Sequence, residues 1–216
     1  MQDVTVQARK RTRGIFYGWG IVAAGSVIQA LQGGFLFHGF TAYVVFLERD
    51  FGWSRTVLSG AYSLTRVESA FLGPLQGWLI DRFGPKCVTL IGLTVFGLGF
   101  ILFSRVNSMA AFYFAFLLVA IGSSLGGMLA INSSLVNWFR RQRAMAMGIT
   151  MSGMAVGGLV LVPVLAWSMT TFGWRDTALA SGVAIWLLGI PSALFLRRRP
   201  GDYGYLTDGD SPSLDE

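Results

Sequence analysis

Charge and reactive side chains are scarce in this chain of 216 residues. Only 13% of residues are Asp, Glu, Lys or Arg, there is one cysteine and one histidine, and 53% are hydrophobic. A water-soluble domain of this length carries about twice that charged share to cover its surface. The single Cys87 excludes an internal disulfide and any multi-cysteine metal site, and the single His38 excludes a metal centre built on several histidines. No phosphate-binding glycine loop is present. An intramembrane serine protease needs Gly-x-Ser-Gly ahead of a late histidine, but Thr150 stands where that first glycine belongs before Ser152-Gly153, and His38 comes far too early. No enzyme activity, cofactor or metal is therefore expected.

What is abundant is apolar sequence in long runs. Residues 20–46, 57–80, 87–103, 109–136, 148–170 and 178–196 each have the length and composition of a bilayer-crossing helix. Strands of a barrel would be shorter and would alternate, so the expected fold is an all-α membrane protein with six transmembrane helices. Arg9, Lys10, Arg11 and Arg13 ahead of the first run resemble the start of a signal peptide. That run is too long for one, lacks a small-residue cleavage site, and is followed by five more.

The net charge of +6 reports topology rather than a nucleic-acid partner, because the basic residues sit at the ends of the apolar runs. One side collects twelve: Arg9, Lys10, Arg11, Arg13, Arg82, Lys86, Arg140, Arg141, Arg143, Arg197, Arg198 and Arg199. The other has Arg49, Arg55, Arg105 and Arg175. The positive-inside rule puts the twelve, and both termini, in the cytoplasm, with the plasma (inner) membrane as the expected location. Residues 1–14 read as a basic cytoplasmic N-terminus, 15–199 as the bundle, and 200–216 as a disordered acidic tail that starts a linker.

Between the second and third runs stands Gly77-Trp78-Leu79-Ile80-Asp81-Arg82-Phe83-Gly84-Pro85-Lys86. It resembles the G-x-L-x-D-R-x-G-R-[KR] loop signature of the major facilitator superfamily, with Pro85 in place of one basic residue. Tyr17-Gly18-Trp19, Phe51-Gly52-Trp53-Ser54-Arg55, Trp138-Phe139-Arg140-Arg141 and Phe172-Gly173-Trp174-Arg175 resemble, in their order, the branch holding monocarboxylate transporters and oxalate/formate antiporters. The resemblance covers roughly residues 14–209. It implies one MFS-type bundle, the N-terminal half of a twelve-helix secondary carrier with a C-terminal six-helix half as partner. It also implies alternating access to a small organic anion resembling a monocarboxylate, coupled to a proton or a counter-anion, and a role for Gly77, Asp81, Arg82, Gly84 and Lys86 in gripping the opposite half. A homo-oligomeric six-helix channel, or an assembly protein without carrier activity, stays open as the alternative.

Arg66 and Glu68 fall in the middle of the second run, where a charge costs about 2.5–3.5 kcal/mol on insertion scales. Two residues apart, they project about 200° from each other on a helix. Arg66 shares its face with Ser59, Tyr62, Ser63 and Gly73, and its guanidinium suits a carboxylate cargo. Glu68 shares its face with Ala61, Leu64, Thr65, Leu72 and Leu75 and is expected between helices. His38 is a candidate proton shuttle. Gln29, Gln32 and Tyr43 on the first run and Asn132 on the fourth are candidate cavity groups. The pairs Gly73/Gly77, Gly122/Gly126 and Gly153/Gly157 are spaced for close helix contact.

Overall fold

Three tight turns in this chain rest on glycine. Gly52, Gly84 and Gly173 hold φ of 66°, 83° and 89°, a region that side-chain-bearing residues rarely adopt, and each closes one helix immediately before the next begins. Ser54 and Ser108 then cap the helices that follow them, accepting from the N–H groups of Val57 and Ala111. Pro85 occupies the first helical position after Gly84, where its missing N–H is harmless.

The structure, a computed structural model, describes residues 16–203 and 207–209, without the side chains of Leu64, Arg66, Val67 and Asp202. The basic segment from Arg9 to Arg13 and most of the acidic tail lie outside the described residues. Among those described, six helical rods follow one another: α1 (Tyr17–Phe51), α2 (Arg55–Phe83), α3 (Pro85–Phe103), α4 (Met109–Trp138), α5 (Arg143–Phe172) and α6 (Trp174–Leu194). All but α2 are long and apolar enough to cross a membrane. The 29 residues of α2 match them in length, but a polar series from Ser59 to Gln76 lowers its hydropathy.

Three rods are not continuous α-helix. α1 passes through a π-helical segment, Gly33–His38, and α4 breaks at Gly127 between Met109–Gly126 and Met128–Trp138. A shorter π-helical segment, Ile185–Gly189, interrupts α6. Such segments re-aim the side chains beyond them.

The closest pairings are α3 with α4 and α1 with α5. Both depend on glycine at the crossing. A Cβ on Gly122 would overlap the backbone of Phe96, one on Gly153 the backbone of Ser26, and one on Gly157 the backbone of Ala30. Around these crossings Phe96, Phe100 and Phe103 of α3 interleave with Phe112 and Phe116 of α4 and with Tyr43 of α1. Gly73 and Gly77 behave otherwise: a Cβ on either would meet nothing within 4 Å. The outer faces are apolar, with Phe71 on α2 79% exposed, Leu159 on α5 77% and Trp167 62%, a surface made for lipid or another bundle rather than water.

Each end of the bundle is tied. At one end, the Trp174 indole donates to Asp50 Oδ2 at 2.6 Å, and Arg175 bonds Asn107 Oδ1 at 2.9 Å while lying over the Trp174 ring. Glu48 and Arg55 pair at 2.9 Å beside them. At the other end the chain beyond α6 folds back across the helix termini. Arg197 sits 4.0 Å from the ring centres of both Tyr17 and Tyr203, the Trp138 indole donates to Arg197 O, and Arg198 donates to Asp81 O. Of the tail expected to be disordered, Gly201–Tyr203 and Thr207–Gly209 form 3-10 turns. The Asp208 carboxylate there accepts from the backbone N–H groups of Arg140 and Arg141, just ahead of α5.

Candidate functional site

The break in α4 creates polar groups that the rest of the bundle must satisfy. Where the first half of the helix ends, the carbonyls of Ser123 and Leu125 lose the continuation that would have bonded them, and that of Ser124 keeps a 3.2 Å bond from the Gly127 N–H. Two glutamines from other helices replace it. Gln32 of α1 donates Nε2 to Ser123 O at 2.9 Å, and Gln76 of α2 donates Nε2 to Ser124 O at 2.7 Å and to Leu125 O at 3.4 Å.

Around this break lies a cavity of about 370 Å³, lined by α1, α2, α4 and α5. Its polar wall comprises Gln29, Gln32, Tyr62, Thr65, Ser69, Gln76, Ser123, Ser124 and Asn132, with Leu36, Phe37, Met128, Leu129 and Met154 as apolar lining. A few hydrogen-bonding groups on a largely apolar, concave surface is the usual constitution of a small-molecule site. Among the described residues no group of three or more His, Cys, Asp or Glu is placed to hold a metal.

The residues singled out from sequence fall into three sets. Gln29, Gln32, Tyr62 and Asn132 come together in the cavity. Glu68 lies directly behind it: 9% exposed, its Oε2 accepts from Ser69 and from Ser124 at 3.3 Å each, and its Oε1 has no partner among the described residues. Arg66 is part of α2, but its side chain is outside the described residues.

His38 and Tyr43 are elsewhere. His38 ends the π-helical segment, is exposed, lies over Gly158 of α5, and is not among the cavity-lining residues. Tyr43 is 1% exposed in the aromatic core, with its hydroxyl 3.3 Å from Ser181 Oγ on α6. Eleven α-helical residues would bring Tyr43 back onto the Gln32 face, but the π-helical segment between them turns the later residues away by roughly the 100° of one residue. The turn motif is arranged differently again. Asp81, Arg82 and Lys86 are exposed at the end of the bundle, with Arg82 over the rings of Trp78 and Phe83, and Gly84 makes the positive-φ turn.

Sequence reasoning missed Thr65, Ser69, Gln76, Ser123 and Ser124 as cavity groups. The signal for three of them was available, since Tyr62, Thr65, Ser69 and Gln76 recur at helical spacing and form one polar stripe on α2. The two charges nearby drew the helical projection to faces on either side of it.

Comparison with known proteins agrees with a helical transporter. The chain is 26% identical over 167 residues to the oxalate:formate antiporter of Oxalobacter formigenes, covering 77% of this chain and 40% of that one. It is 29% identical over 189 residues to human monocarboxylate transporter 11, covering 86% and 40%. With the hexuronate transporter of Bacillus subtilis (strain 168) the identity is 28% over 163 residues, covering 72% and 37%. The chain thus spans about 40% of the length of the curated relatives it matches. The Major Facilitator Superfamily pattern itself matches residues 22–211, from within α1 to beyond the last described turn, and on that match this membrane-embedded helical chain belongs to the major facilitator superfamily.

Proposed function

We propose that this chain forms one six-helix bundle of a secondary carrier for a small organic anion, working by alternating access against a second bundle. The observation that carries the reading is the cavity at the α4 break. It is polar on one wall, apolar on the rest, and lined by α1 and α2 from the first half of the bundle and α4 and α5 from the second. Carriers of this architecture hold their cargo near the bilayer midplane where broken helices expose backbone groups. The names of the relatives, which speak of oxalate, formate, monocarboxylates and hexuronate, support a carboxylate as cargo.

In this reading all six helices span the membrane, with the Asp81-Arg82 turn and both termini in the cytoplasm of a plasma membrane. Gln32, Tyr62 and Asn132 contact cargo. Arg66 supplies its counter-charge, and Glu68, behind the wall, serves coupling. His38, outside the cavity, meets the second bundle rather than the cargo. Asp81, Arg82 and Lys86 grip a helix end of that bundle and steady one of the two access states, with Gly77 allowing close approach.

The test is counterflow of labelled oxalate, lactate and glucuronate into vesicles that contain the chain, alone and with a co-expressed C-terminal six-helix bundle. Saturable exchange, competed by unlabelled acid and dependent on the second bundle, is the expected result. Unitary current steps from the chain alone, without saturable exchange, would replace the carrier with a pore.

A further inference from the structure

Beside the cavity wall three oxygens stand at the corners of a triangle. Glu68 Oε2 is 3.3 Å from Ser69 Oγ and 3.3 Å from Ser124 Oγ, and the two serine oxygens are 3.3 Å from each other. An O–H···O hydrogen bond spans about 2.5–3.0 Å, so all three edges are long for one. The hydrogens are also too few. Each serine hydroxyl has one, and that of Ser69 has a shorter acceptor outside the triangle, Thr65 O at 2.8 Å. The Ser124 hydrogen alone is left to serve three edges, so the lone pairs of a carboxylate and two hydroxyls converge. Glu68 is 9% exposed, its Oε1 is buried without a partner, and no salt bridge reaches it among the described residues.

Converging acceptors of this kind fit a positive ion. Neighbouring ligands of an octahedral ion stand about 1.4 times the ion–oxygen distance apart, so these edges correspond to an ion about 2.3 Å from each oxygen, within the calcium range of about 2.3–2.6 Å and outside the magnesium range of about 2.0–2.1 Å. Charge then selects the ion. The triangle holds one carboxylate, so a monovalent ion leaves it neutral at a depth where an unmatched charge is costly. Sodium has the size of calcium and half its charge. Ser124 also lies in the last turn of the first half of α4, Met109–Gly126, whose C-terminal end is the negative pole of that helix. Arg66, two positions before Glu68, belongs to another face of α2.

We propose that Glu68, Ser69 and Ser124 form a sodium site, with Glu68 Oε2 and the two hydroxyl oxygens as one face of the coordination shell. Ser69 and Ser124 line the cavity, so water or a bound anion completes the shell from that side. The site stands on the triangle. Its purpose rests on the carrier reading above, in which the ion is the coupling partner that Glu68 holds.

The experiment is equilibrium dialysis of radioactive sodium with the detergent-purified chain, beside dialysis of labelled lactate in sodium chloride and in choline chloride at equal ionic strength. Saturable sodium binding, competed by unlabelled sodium but not by potassium or choline, is expected, with lactate bound about tenfold tighter in sodium than in choline. Glu68→Gln, which removes the charge and keeps the shape, should lose the sodium binding and bring the lactate ratio to one. No saturable sodium binding by the wild type would overturn the inference, as would sodium binding that Glu68→Gln retains. A lactate affinity that ignores sodium but rises as the pH falls, and no longer does so in Glu68→Gln, makes the occupant a proton. That result overturns the sodium site and leaves the carrier reading standing. Sodium binding as expected, without saturable binding of lactate, supports the site and removes the carrier reading. If Glu68→Gln loses its monodisperse elution, Ser69→Ala and Ser124→Ala, which leave the carboxylate in place, carry the test. Each should weaken sodium binding by about tenfold or more, and unchanged binding in both overturns the inference.

Discussion

Tyr43 and Tyr62 are the same side chain in similar apolar sequence, yet one belongs to the core and the other to the cavity. Tyr43→Phe removes a hydroxyl whose partner, Ser181, also bonds Thr177 O, so it is expected to cost about 0.5–1.5 kcal/mol of stability and to leave cargo affinity alone. Tyr62→Phe should do the opposite, weakening binding of a carboxylate with little change in thermal unfolding. A Tyr43→Phe protein with altered cargo affinity would place the cavity wrongly. Asp208 makes a second prediction at this scale. Desolvation works to raise its carboxyl, but hydrogen bonds from the backbone N–H groups of Arg141, Arg140 and Gln142 and the charge of Arg141 prevail and hold it below the ordinary carboxylate range. A group depressed in the folded state contributes fully above its unfolded value and loses that contribution as pH falls through its folded value. Asp208→Asn should therefore lower stability at neutral pH by at most about 1 kcal/mol, given its exposure, and the gap to wild type should close as the pH is lowered through the acid side of that range. Differential scanning fluorimetry across pH reads this directly, and a gap that persisted at the lowest pH would show that the carboxylate is not the anchor.

At the level of helices, sequence periodicity reached most of the architecture and stopped where the period changes. The ends of the six apolar runs lie within about five residues of the observed helix ends, because glycine and serine at the turns mark them plainly, and Gly122/Gly126 and Gly153/Gly157 do make close crossings. Gly33-Gly34 marked a place where α1 could bend, but neither its π-helical form over Gly33–His38 nor the break at Gly127 was legible, since Gly126-Gly127 read equally well as packing glycines. Those two irregularities decide which residues face the cavity, so the site was only partly legible: Gln29, Gln32, Tyr62 and Asn132 were within reach, Tyr43 was misdirected, and Gln76 was passed over. The α4 break yields a prediction of its own. Gln76→Leu leaves the carbonyls of Ser124 and Leu125 without that donor, which should destabilise the bundle by about 1–3 kcal/mol, whereas the exposed Thr94→Val, away from the break, should change it by less than about 0.5 kcal/mol. Equal unfolding temperatures for the two variants would mean that water, not glutamine, satisfies the break.

Across the whole molecule, the contrast between two kinds of glycine distinguishes packing inside the bundle from a surface awaiting another. Gly157 has no room for a Cβ against the Ala30 backbone, so Gly157→Val must separate α1 from α5, and loss of the folded, monodisperse species is expected. Gly77 has no neighbour within reach, and it lies on α2 between the exposed Leu75 and Trp78 and close to the exposed Asp81-Arg82 turn. Gly77→Leu should therefore leave the elution and unfolding of the chain by itself as they are in wild type. If a second bundle approaches α2 there, the same substitution holds the two apart and exchange of labelled carboxylate by the assembled carrier falls by tenfold or more, an effect of about 1.4 kcal/mol on the state that needs the contact. The two measurements separate folding from assembly because only one of them involves the second bundle. Full exchange by assembled Gly77→Leu would show that α2 faces lipid at this level, and the docking surface would then have to be sought along α5, where Leu159 and Trp167 are exposed.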